Sequence, residues 1–157
     1  MNKRHLFASG LCLLALLAVG CAKDLPIDIP GLNLAKPSDT EQIRTILDDA
    51  FKAMEGRRLN KVMANVAEKY YDEEGRDYET LREYLETVFR RYREIIITRA
   101  APKIAVEGDR AKALETFGTV AKPFSQSDLP INLQGQVYVY LEKIDGSWKI
   151  VQWGSLM

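Results

Sequence analysis

Residues 145–153 read DGSWKIVQW, and the way this stretch folds decides the architecture of the chain. Asp145-Gly146 is a two-residue hairpin signal. It is flanked by QGQVYVYLEKI at 134–144 and SWKIVQWG at 147–154, both rich in β-branched and aromatic residues. The pair predicts an antiparallel hairpin. Strand side chains alternate, so Trp148, Ile150 and Gln152 are expected on one face and Lys149, Val151 and Trp153 on the other. Each face then carries a tryptophan. A sheet with one solvated face should alternate apolar with polar, so the second face needs a cover, either a loop or a second subunit. On this reading Trp148 faces the helices, while Trp153, with Val151, lies on a convex self-association surface.

Upstream of the hairpin the texture is also that of strands. EIIIT at 94–98 and PKIAV at 102–106 flank Pro102, which predicts a bend or bulge. EGDR at 107–110 is a hairpin turn, and AKALETFGTVAK at 111–122 is the return strand.

Before residue 94 the periodicity is helical. Ser38-Asp39-Thr40-Glu41 has the spacing of a capping box, and Ile43, Ile46, Leu47, Ala50, Phe51 and Met54 follow as one apolar stripe. Gly56 is expected to stop this helix, and a shorter one carries Leu59, Val62, Met63 and Val66. Asp77 is the expected N-cap of a third helix, whose buried stripe is Tyr78, Leu81, Leu85, Val88, Phe89 and Tyr92. Helices first and an antiparallel meander afterwards define an α+β domain over 38–157, with the helices on one face of the sheet.

The first 20 residues read differently. Lys3 and Arg4 precede a run from Leu6 to Ala22 with no charge, the pattern of a secretory signal peptide over 1–20. That run is 17 residues and contains Gly10 and Gly20, at the low end of the ~17–25 that a membrane span needs. Ala18-Val19-Gly20-Cys21 resembles the lipobox of bacterial lipoproteins, although Ala18 stands where that family usually has leucine. The resemblance implies thioether attachment of lipid to Cys21, which becomes the first mature residue. The competing reading is ordinary cleavage after Gly20, which leaves an unmodified thiol. Residues 21–37, with Pro26, Pro30 and Pro37, read as the lipidated cysteine and a flexible tether; Ile27 and Ile29 offer an edge strand instead. The expected location is the cell envelope, on the outer membrane facing the periplasm if the source has two membranes, because Ala22 rather than aspartate follows the cysteine.

Loss of this leader has chemical consequences. It removes Cys12 and His5, the only histidine, so zinc sites, Ser-His-Asp triads and Cys-His pairs are not expected in the mature chain. It also removes two of the 22 basic residues and none of the 22 acidic ones, which leaves a net charge of about −2. That balance gives no reason to expect nucleic acid as a partner.

Three helices, a long bent strand, the GDRA hairpin and the closing DGSWKIVQW strand are similar to the nuclear transport factor 2-like superfamily and its polyketide-cyclase-like bacterial members, over roughly residues 38–157. The resemblance implies a cone-shaped half-barrel, three helices packed in a strongly curved four-stranded meander, with a pocket open at one end. It also implies that dimerisation through the sheet is common. Phe51, Tyr70, Phe89, Trp148, Ile150 and Gln152 are the expected pocket lining.

Enzymes of this superfamily, the ketosteroid isomerases and scytalone dehydratases, place Tyr, Asp or His inside the cone. Here the first helix has no tyrosine. What remains is Tyr70 or Tyr71 with Asp72, and Asp72 to Glu74 read as solvated, so that Asp49 and Asp72 are expected to titrate as exposed acids. No catalytic residue, metal or cofactor is assigned. DEEGRD at 72–77 lacks the calcium-loop spacing, because Gly75 follows Asp72 by three positions rather than five. Arg90, Arg91, Arg93 and Arg99 form a basic cluster that complements a helix dipole or meets anionic headgroups. Tyr138 and Tyr140 share a strand face, for packing or for ligand stacking. The sequence therefore points to a membrane-anchored lipoprotein whose cone binds a small apolar ligand or an envelope protein without catalysis. The alternative is a lyase or isomerase of the ketosteroid-isomerase or dehydratase type.

Overall fold

A computed structural model describes residues 36–157. The signal peptide, Cys21 and the alternative strand at Ile27 and Ile29 lie outside the described residues.

Helix α1 spans Asp39–Glu55 and opens on the capping box that its sequence announces: Glu41 N donates to Ser38 Oγ at 3.3 Å, and Ser38 N donates to Glu41 Oε2 at 2.8 Å. Ile43, Leu47, Ala50, Phe51 and Ala53 are its buried residues. The helix ends at Gly56, but the left-handed residue of the turn is Arg57, with φ 52°. Helix α2, Leu59–Met63, is shorter than its apolar spacing suggests. Val66 lies beyond it, in a bridge to Ile150, and residues 65–71 run beside the last strand, where Ile150 N donates to Asn65 O at 2.8 Å and Ala67 N to Ile150 O at 2.9 Å. This segment covers a sheet edge that would otherwise be open. Helix α3, Tyr78–Arg91, is capped by Asp77 and leads straight into the sheet at Tyr92.

The strands are β1 Tyr92–Arg99, β2 Lys103–Glu107, β3 Arg110–Pro123, β4 Ile131–Ile144 and β5 Ser147–Trp153. The sheet is antiparallel and ordered β1-β3-β4-β5, with β2 also paired to β3. The expected four-stranded meander thus has four positions across but five strands, because Ala100 to Pro102 leave the ladder and divide the first position into β1 and β2. Proline, which lacks an N–H, accounts for the break. Asp145 and Gly146 both take positive φ, 49° and 77°, as a tight hairpin turn of this hand requires. Three helices against a curled antiparallel sheet make the α+β half-barrel. The core joins α1 (Ile43, Leu47, Ala50) to the sheet through Ala113, Val139, Leu141 and Ile150.

One irregularity corrects the strand reading. Leu141 pairs with Ile150, yet the next residue of β4, Tyr140, pairs with Gln152. Val151 is therefore an extra residue, a β-bulge, and from there the alternation of β5 is reversed. Trp148 and Ile150 face the core, Gln152 turns to the outer face beside Tyr140, and Trp153 comes inward opposite the buried Val139. Trp153 packs against the core and not on the convex surface where the strand alternation puts it.

Candidate functional site

The open end of the half-barrel holds a cavity of about 310 Å³, at the lower end of the ~300–1,000 Å³ usual for small-molecule sites. Helix α1 contributes Phe51 and Met54, α3 contributes Leu81, Leu85, Val88 and Phe89, and the sheet contributes Ile95, Ile97, Phe117, Ala121, Ile131 and Val137. Trp153 closes the β5 side, its ring edge-on to Tyr70 with centroids 6.4 Å apart.

Of the six lining residues expected from sequence, the structure brings Phe51, Tyr70 and Phe89 to this cavity. Trp148 and Ile150 are packed in the core instead, and Gln152 is turned away by the bulge. Trp148, 1 % exposed, donates from Nε1 to Asp39 Oδ1 at 3.0 Å, an oxygen that also accepts from Lys143 Nζ at 2.6 Å.

The mouth is closed on one side by residues 154–157. Gly154 N donates to Tyr138 O at 2.8 Å, Met157 N to Gln136 O at 2.9 Å, and Ser155 Oγ to Glu73 Oε2 at 2.6 Å. Leu156 lies across the cavity on Gly135, where a Cβ would stand 2.6 Å from Leu156 Cδ1 and 2.9 Å from Met157 O. A glycine within a strand commonly marks such a close approach of another segment. Gly135 was thus the one sequence signal for this segment.

Asp72 corrects a second expectation. Although it adjoins Glu73 and Glu74, it is 2 % exposed. The loop after residue 71 folds back on itself, with Tyr71 bridged to Asp77, and turns the Asp72 carboxylate inward. There it accepts from Tyr70 OH at 2.9 Å, Arg76 Nε at 2.8 Å, Arg76 N at 2.9 Å and Glu74 N at 3.0 Å. Burial pushes its pKa up, but the donors from the Arg76 backbone and side chain and from Tyr70 outweigh burial and hold it below the usual carboxylate value. Burial first, and then the bond to Asp72, push the Tyr70 phenol well above its ordinary value. Tyr70 therefore stays protonated and Asp72 ionised. Tyr71, the alternative tyrosine, is 63 % exposed.

A folded-state pKa that is depressed gives stability that is present above the unfolded value of ~3.9 and is lost as pH falls through the folded value. Asp72→Asn is accordingly expected to cost about 1–3 kcal/mol at pH 7. The gap to wild type should shrink below about pH 4. Urea unfolding between pH 2 and 7 measures it. A gap that grows on acidification would contradict this ionisation state.

Behind Phe51 lies a charge cluster with no counterpart in the sequence reading. Glu115 is fully buried and grips Arg99 through two bonds, Nε to Oε2 at 3.1 Å and NH2 to Oε1 at 2.6 Å, while Arg99 NH1 donates to Asp48 at 2.7 Å. The guanidinium stacks on Phe51, 4.0 Å from its centroid. Arg99 is therefore no part of an exposed basic cluster; Arg91 pairs with Asp128 and Arg90 with Glu86. Among the described residues, no group of His, Cys, Asp and Glu side chains is placed to hold a metal ion.

This geometry belongs to a known fold. A candidate scytalone dehydratase from Novosphingobium aromaticivorans superposes with a TM-score of 0.66 at 16% identity, over 73% of this chain and 80% of the other. A nuclear transport factor 2-like superfamily protein from Salmonella enterica gives 0.64 at 15%, over 73% and 87%. A hexachlorocyclohexane dehydrochlorinase gives 0.63 at 14%, over 73% and 81%. The chain has the nuclear transport factor 2-like cone fold. No family model matches the sequence, and neither does any curated protein sequence.

Proposed function

We propose that this is a lipid-anchored protein of the cell envelope whose cone binds a small apolar ligand without converting it. The observation that carries the reading is the cavity itself: its walls are apolar, and the buried carboxylate beside it, Asp72, is bound by four donors rather than free to take a proton. The anchor rests on the leader and the lipobox-like Ala18-Val19-Gly20-Cys21, and Ala22 fits the outer membrane of a two-membrane cell. A homodimer through the sheet would use the outer-face residues Ile96 and Val120 in place of Trp153.

A second reading keeps support from one pair of residues. Tyr70 and Asp72 touch at the cavity wall, and solved structures of this fold include a candidate dehydratase and a dehydrochlorinase, so an elimination resting on that pair is the alternative. NMR titration of the Asp72 carboxyl separates the two. A value below the ordinary carboxylate range fits binding, and one above about 6 is what a general base near neutrality needs.

Two variants of the full chain test the proposal. Cys21→Ser should leave the membrane fraction, because stable anchoring takes more than one acyl chain and the variant has no site for them. Val137→Phe, which fills the cavity from β4, should abolish the heat of 1-octanol binding while unfolding remains cooperative. An overpacking cost of about 1–3 kcal/mol is expected. A folded Val137→Phe chain that binds 1-octanol as wild type does would overturn the cavity reading.

A further inference from the structure

Resting on the ligand-binding reading above, we infer that the cone takes an uncharged molecule, a hydrocarbon body ending in a single hydroxyl or carbonyl, and discriminates against the matching carboxylate. Size comes first. At ~30 Å³ for each water-sized group, 310 Å³ holds on the order of ten non-hydrogen atoms.

Charge comes second. Arg76 lines the space and Arg99 lies outside it, behind Phe51; both guanidinium groups are committed. Arg76, which stacks on Tyr84 with 4.7 Å to the ring centroid, is bound to Asp72 and Glu74. Arg99, behind Phe51, is bound to Glu115 and Asp48. Beside Asp72 and Glu74, Glu73 adds a third carboxylate at the mouth, held by Ser155. At the rim three carboxylates, Asp72, Glu73 and Glu74, thus surround one cation, Arg76, and an entering anion meets net negative charge with no uncommitted positive group. A cation gains little more, because the carboxylates nearest the space already have partners and a charge in the apolar interior must be desolvated.

The polar inventory comes third. Thr119 on β3 pairs with Ile97 on one side and Leu133 on the other, which places its side chain on the inner face, in the cavity wall between Phe117 and Ala121. Thr116, on the outer face, is held by Gln136 Nε2 at 3.0 Å. The Thr119 hydroxyl has no such partner among the described residues. A hydroxyl both donates and accepts and carries no charge, so it matches an alcohol or a carbonyl oxygen.

The test is isothermal titration of the full chain, kept in amphipol, with 1-octanol, octanoate and octylammonium at pH 7, using amphipol alone as the blank. The alcohol should bind at least tenfold more tightly than either ion. Octanoate should gain affinity as pH falls through its own carboxyl pKa, ~4–5. Thr119→Val, nearly isosteric, should weaken 1-octanol by about three- to tenfold, the loss of one hydrogen bond. Octanoate or octylammonium binding as tightly as the alcohol would overturn the ligand class and leave the cavity reading standing. An unchanged 1-octanol affinity in Thr119→Val would remove Thr119 from the site. Failure of all three probes to bind would overturn the cavity reading along with the inference.

Discussion

Alanine at Arg99 is expected to lower the unfolding free energy by about 3–5 kcal/mol, the cost of stranding a buried charge whose partner has been removed. Glu115 is fully enclosed and takes both of its strong bonds from this guanidinium, so nothing else can compensate it. The stack on Phe51 is lost as well, and with it the support behind one cavity-wall side chain. The ion pair itself is worth far less than its disruption, because desolvating both groups offsets most of their attraction. Arg99→Met combined with Glu115→Leu should therefore recover most of the stability that either single change loses. Urea unfolding of the four chains in this cycle gives the coupling directly. Additive losses would mean that the two groups are solvated and independent.

Trp148→Ala is the second large effect, about 3–5 kcal/mol. Its indole is packed between β5 and α1 and ties the hairpin to the first turn of that helix through Asp39. Trp153→Ala should cost less, on the order of 1–2 kcal/mol, because part of its surface already faces the open cavity. Its larger effect should be on ligand binding. The bulge at Val151 makes this contrast: one strand supplies a tryptophan to the core and another to the cavity, although their spacing assigns them to opposite faces. Equal losses of stability, with ligand binding untouched by Trp153→Ala, would mean that Trp153 is ordinary core.

Local chemistry made much of the fold legible. The caps at Ser38 and Asp77, the Asp145-Gly146 turn and the apolar stripe of α1 are set by residues within a few positions of one another, and each lies where its sequence puts it, whereas Val66 and Tyr92, read as ends of helical stripes, lie outside α2 and α3. What depended on distant partners was not legible. The bulge at Val151 follows from how β5 meets both β4 and the 65–71 segment, and no residue type in KIVQW announces it. Asp72 looked solvated from its acidic neighbours, and only the fold-back of its loop, with four donors from Tyr70, Glu74 and Arg76, buries it. Glu115 did leave a trace. In AKALETF, alternation sets it on the same face as Ala111, Ala113 and Phe117, and a carboxylate in that row calls for a buried cation. Its partner, Arg99, was hidden in an apparently basic cluster.

On the proposed function, the inside of the cone, and not the outer face of its sheet, is the binding surface. Intermolecular NOEs from 1-octanol to the isotope-labelled protein distinguish the two faces. Contacts are expected to the Trp153 indole, Ile97, Phe117 and Val137, all in the cavity wall. Contacts confined to Ile96 and Val120, which are exposed on the opposite face, would contradict binding inside the cone.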